Sequence, residues 1–181
     1  IRGVCDEAAA SQGRAKRLMV RIAATIGGNI SMGHDIPRWI SEGLVDTIIA
    51  MPVGGGFESV TDGLREVVQA TLGTDVKVLA GQDSVAPHQS HNVHRAAAVN
   101  AYAAGAEGIT YHRYYPTPSR YPYNSTDMER IRLMAYPDVL AHKDKNFRLG
   151  TSEDRPAAVT FGLEEKLPAP LGGGRPGPEL V

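Results

Sequence analysis

Cysteine is almost missing from this chain. Cys5 stands alone among 181 residues, so no disulfide can close within it. No basic partner is evident beside it, and Cys5 therefore reads as a packing residue rather than a nucleophile. Long apolar runs are missing too: none approaches the roughly 20 residues that a membrane-spanning helix needs. Neither charge sign is in excess. Nineteen Lys and Arg against twenty Asp and Glu leave a formal net charge of -1, which speaks against nucleic acid or an anionic membrane as partner. The start, IRGVCDEAAASQGR, lacks the apolar middle of a signal peptide and has no initiator Met. The chain is expected to be a fragment. Its cellular place is left open, with secretion or the periplasm as options.

What is present is ordinary globular material, 42% hydrophobic and 22% charged. Short apolar runs alternate with helical patterns. Runs at 18–24, 46–52, 76–81 and 107–115 read as strands, the last rich in β-branched and aromatic residues. The stretches before and between them read as helices: 4–17, 35–45, 58–73 and 90–106, with another at 125–134. Asp35 can cap its helix, Pro37 suits the first turn, and Gly73 and Gly105 suit helix ends. This rhythm predicts an α/β chain of four βα units with a parallel sheet. A closed (β/α)8 TIM barrel needs about 250 residues, so the expected fold is half of one. After Lys145 the texture changes. Residues 1–145 form the expected barrel half, and 146–181 an extended linker or the start of a β domain.

Several stretches, in order, carry a family likeness: VRIAAT, GHDIPRWISEGLVDTIIAMP, NAYAAGAEGITYHRYY, LMAYPDVLAHKDKNFRL and EEKLPAPL. In that order and spacing, over roughly residues 18–171, the chain resembles the C-terminal half of the bacterial glycosyl hydrolase-like family 10 proteins. The resemblance implies a (β/α)8-barrel glycosidase, with a β-sandwich-like region often following. It makes the four strands here the fifth to eighth, and places an acid/base carboxylate on a strand outside this chain. The implied activity is hydrolysis of O-glycosidic bonds in a poly- or oligosaccharide by carboxylate catalysis. Two other readings stand beside it: a non-catalytic carbohydrate-binding barrel and a metal-dependent hydrolase.

Barrel chemistry sits at the C-terminal ends of the strands and in the loops that follow. After the first strand come Thr25 and Asn29, polar but not acidic; Arg21 lies within the strand and calls for a carboxylate, either a catalytic acid or a stabilising partner. After the second comes a Gly-rich loop, Gly54 to Gly56, without the Lys and Ser/Thr of a phosphate-binding loop. Asp83, after the third, is the one carboxylate near a strand top. The resemblance makes it the candidate nucleophile or base, as glycosidases need two carboxylates flanking the sugar bond; otherwise it starts a turn or caps the next helix. After the fourth come His112, Arg113, Tyr114 and Tyr115. Alternation puts His112 and Tyr114 on one face and Tyr111, Arg113 and Tyr115 on the other. Aromatic rings there would suit a sugar.

His88, His91 and His94 are spaced by three, yet His88 and His94 would lie about 120° apart on a helix. Convergence on a metal is therefore not expected, and no cofactor is implied. His88 and His91 are read instead as hydrogen-bond donors to a substrate near Asp83. With Arg21, His112, Tyr114 and Tyr115 they complete the expected carbohydrate site.

Overall fold

The computed structural model describes residues 1–51, 61–83, 91–112 and 132–145. Its four strands are β1 (Met19–Ala23), β2 (Thr47–Met51), β3 (Lys77–Asp83) and β4 (Gly108–His112). They form one parallel sheet in the order β1-β2-β3-β4. The helices are α1 (Arg2–Gln12), α2 (Ile26–Ser31), α3 (Ile36–Ser41), α4 (Thr61–Thr71), α5 (His91–Ala103) and α6 (Pro137–Ala141). The expected α/β class with four parallel βα units is therefore the observed one. The expected tail at 146–181, and most of the helix expected at 125–134, lie outside the described residues.

The elements form for local reasons. The Asp35 side chain accepts the Arg38 N–H at 3.1 Å, and Pro37 sits in the first turn of α3. Gly43, at φ 65°, takes the left-handed conformation that reverses the chain after α3. Gly105 does the same after α5 at φ 98°. The short helix α2 is not foreseen, since two glycines oppose it. It is held by Thr25, whose Oγ1 accepts the Gly28 N–H at 3.1 Å.

Strand order and helix placement together define the architecture. One face of the sheet presents Ile22, Ile48, Ala50, Val78 and Ala80. They pack against Ile36 and Ile40 of α3, Leu64 and Val67 of α4, and Ala101 of α5. Ile36, Ile48 and Val67 have no exposed surface at all. All three helices therefore cover the same face, as in a singly wound barrel and unlike a doubly wound sheet. A second cluster joins Ala98 of α5 to Met134 and Leu140, and the Tyr102 hydroxyl donates to the Met134 carbonyl at 2.6 Å. Trp39 packs at the edge of the main core, its ring 5.6 Å from that of His34.

The opposite face is concave, and its stagger is that of a barrel. Register runs Arg21 to Ile49 to Leu79 to Gly108, so Gly108 lies in line with Arg21. Yet the Arg21 side chain meets His112, four residues further along β4. Flat strands at about 4.8 Å spacing would set β1 and β4 roughly 14 Å apart. The contact draws them together on this face. A barrel shear of about one residue per strand produces the offset along β4.

Candidate functional site

At the N-terminal ends of the strands the structure is clamped. Asp46, just before β2, accepts the Leu18 N–H at 2.5 Å and a guanidinium N–H of Arg2 at 2.7 Å. Arg2 also donates to the Leu44 carbonyl. The Leu18 amide and then Arg2 hold the Asp46 carboxyl below its ordinary range. Lys77 pairs with Glu107 at 3.0 Å across the starts of β3 and β4. These contacts lie at the end of the strands that serves stability in a barrel.

On the concave face, Arg21 projects from the middle of β1 and His112 from the C-terminal end of β4. Nη1 of Arg21 is 2.5 Å from Nδ1 of His112 and 3.2 Å from Nε2. An arginine N–H only donates, so the ring nitrogen it meets must accept. Arg21 is exposed, and it forms no ion pair among the described residues. The carboxylate expected for it is not found there. Between the two residues, Ile49 and Leu79 line the face, partly buried. Gly81 lies above them because a Cβ would come within 2.8 Å of Met51 Cβ and 3.2 Å of Ile49 Cγ2.

The other predicted residues distribute unevenly. Asp83 is the last residue of β3, one turn of the pleat beyond the expected strand end, and its backbone pairs in register with His112. His91 opens α5. The side chains of Asp83 and His91, and the whole of His88, Tyr114 and Tyr115, lie outside the described residues. Among the described residues no group of three or more His, Cys, Asp or Glu could hold a metal ion. No helix among them is long and apolar enough to cross a membrane.

Sequence reasoning missed the cluster behind the sheet. Gln82 and Tyr111 face the helices, and His94 of α5 is buried between them. His94 Nδ1 lies 3.3 Å from Gln82 Oε1, and its ring centroid lies 5.7 Å from that of Tyr111. The third histidine of the spaced set is thus a core residue. Its signal was available: His94 stands one helical turn before Ala98 in an Ala-rich, core-facing stripe.

The Gly-rich loop at 54–56 lies outside the described residues; in the turn after β1 two backbone donors are satisfied within the fold. The Ile26 N–H is taken by Glu66 of α4 at 3.2 Å, and the Gly28 N–H by Thr25. Those donors are already used within the fold.

No family model matches this chain, and no curated protein does. Among solved structures it is similar to a crystal structure assigned as a deoxyribose-phosphate aldolase from Coccidioides immitis. The identity is 19% and the TM-score 0.47, over 74% of this chain and 46% of that one. This chain thus spans less than half the length of that solved chain.

These findings correct the glycosidase expectation. No glycoside hydrolase model matches, and the solved structure named above is assigned as an aldolase, a lyase rather than a glycosidase. The sugar-hydrolysing reading is thereby withdrawn; the carbohydrate-binding and metal-hydrolase alternatives find no support in these likenesses, and the Asp83 side chain lies outside the described residues. At that identity and TM-score the likeness does not carry aldolase chemistry to this chain either.

Proposed function

We propose that this chain forms part of a (β/α)-barrel enzyme whose centre lies on the concave face, at the C-terminal ends of the strands. There Arg21 binds the anionic group of a small substrate, a carboxylate or a phosphate. His112, beside it, exchanges a proton with the bound molecule. The observation that carries this reading is the Arg21–His112 contact on the face opposite the packed core.

The chemistry favours an anion. A guanidinium presents a planar set of donors that matches carboxylate and phosphate oxygens. Arg21 has an imidazole against one N–H and no carboxylate among the described residues, so its charge is available to a ligand. An imidazole adjacent to the bound group is the side chain best suited to proton transfer near neutral pH.

The test is a titration of the protein with inorganic phosphate, with acetate and with a neutral sugar, followed by NMR of the imidazole nitrogens. We expect phosphate or acetate to shift the His112 ring signals in a saturable way, and the sugar to leave them in place. Arg21→Met should weaken the anion by about tenfold or more, the worth of a charge-assisted hydrogen bond. Which anion binds more tightly separates the two substrate classes. Anion binding that survives Arg21→Met undiminished would sink the proposal.

A further inference from the structure

We propose that Asn29 is a positioning residue for the concave anion site, holding the end of β1 as a fixed wall beside Arg21. The inference rests on the reading of Arg21 and His112 given above, and it concerns a residue that makes no contact with either.

The backbone of β1 shows why such a residue is needed. The Leu18 carbonyl accepts the N–H groups of Asp46 and Thr47, next to β2. Alternation along the strand therefore turns residues 18, 20 and 22 toward β2, and residues 19, 21 and 23 toward the outer edge of the sheet. Ala23, the last residue of β1, is buried and has its backbone polar groups on that edge. A buried N–H and C=O left without partners would favour fraying of the strand end.

Asn29 removes that liability. It has no exposed surface, and its side-chain amide stands where the next strand would stand. Its Oδ1 accepts the Ala23 N–H at 3.0 Å, and its Nδ2 donates to the Ala23 carbonyl at 2.9 Å. The same Nδ2 donates to the Thr25 carbonyl at 2.6 Å. The bracket thus closes over residues 23–25, two positions beyond Arg21.

The turn is fixed from its far side as well. Glu66 of α4 accepts the Ile26 N–H, and Thr25 caps α2. Gly63 of α4 comes so close that an added Cβ would lie 2.6 Å from the Ala24 carbonyl oxygen. A side chain two residues from a strand end takes its direction from that end. Loosening residues 23–25 would let Arg21 leave the sheet at varying angles and lose its aim at His112.

The experiment compares Asn29→Ala, Thr25→Val and Leu140→Ala with the parent chain. Two quantities are measured for each: the Kd for inorganic phosphate and the hydrogen-exchange rate of the Ala23 amide. For Asn29→Ala we expect faster exchange at Ala23 and a Kd raised about tenfold, a cost in keeping with a small misplacement of a binding group. Thr25 is exposed, so Thr25→Val should fold normally and shift both quantities the same way by a smaller amount. Leu140→Ala loosens the second core cluster, away from β1. It should lower stability while leaving the phosphate Kd within about twofold, which separates positioning from general loss of stability. If Asn29→Ala does not fold, Thr25→Val decides alone. An unchanged Kd in the folded variants, with phosphate bound by the parent, overturns the role of Asn29 and leaves the anion site standing. Absence of phosphate or acetate binding by the parent overturns the site itself, and this role with it.

Discussion

The two faces of the sheet obey different rules. The convex face is a dry, close-packed core in which Ile48 and Val67 are fully buried between strands and helices. The concave face carries an exposed arginine against a histidine, over a floor of partly buried Ile49 and Leu79. At the N-terminal ends two ion pairs join neighbouring elements: Arg2 with Asp46, Lys77 with Glu107. On the concave face Arg21, at the middle of β1, forms no ion pair among the described residues. Stability is concentrated on one face and at one end. The other face carries the exposed Arg21 and its contact with His112. Substitutions that act on stability and on binding separately would break or sharpen this division.

The largest effect on stability should come from the convex core. Ile48→Ala removes a fully buried side chain at the centre of β2. A buried Ile cut to Ala costs about 2–5 kcal/mol. Urea unfolding of parent and variant measures it. A loss under about 1 kcal/mol would show that this face is not the main source of stability.

The strands of that core were legible because each is a short apolar run bounded by helix patterns and by Gly or Pro. Helices α3, α4 and α5 were legible from their caps and periods: Asp35, Pro37, Gly73 and Gly105 all act as punctuation. Helix α2 was not, because IGGNIS contains two glycines and its stability comes from Thr25 and Glu66, one of them forty residues away. Helix α6, PDVLA, is too short to show a period. The candidate site was half legible. Arg21 and His112 were both singled out, and parity placed His112 opposite Tyr111, but nothing in the sequence says that a strand-to-strand stagger brings Arg21 to His112. Asn29 was visible only as a polar residue after a strand. Its use of a side chain as a surrogate strand depends on three-dimensional closure of the turn. The glycosidase expectation came from ordered motifs, and those motifs map chiefly onto the elements that build the barrel: the cap of α3, the turn at Gly105, the strand β4. Such residues report a fold, and a fold hosts many chemistries.

A smaller effect is expected from the clamp at the N-terminal ends. The Leu18 amide and Arg2 depress the Asp46 carboxyl, so its stabilising contribution is present above the unfolded-state pKa of about 4. It is lost as pH falls through the lower, folded-state pKa. The carboxylate is about a third exposed, with 35% of its side-chain surface accessible, and solvent screens the pair with Arg2. Asp46→Asn should therefore cost about 0.5–1 kcal/mol at pH 7. The difference between parent and variant should shrink as pH falls below about 4 and vanish once Asp46 is protonated in the folded state as well. Unfolding curves at pH 7 and pH 3 check the sign. A gap that widens in acid would place the stabilising charge elsewhere.

The smallest effect on stability should come from Arg21→Met, and that smallness is informative. The side chain is exposed, it has no ion pair among the described residues, and its hydrogen-bond partner is a single imidazole. Exposed substitutions of this kind stay within about 0.5 kcal/mol of the parent. Methionine keeps most of the apolar stem, so little packing is lost. If Arg21 is placed to hold a substrate, its removal should leave the urea midpoint where it was while anion binding falls. If it is a barrel-stabilising residue, the midpoint should drop by 1 kcal/mol or more and binding should follow only through unfolding. The two outcomes assign the concave face to binding or to architecture.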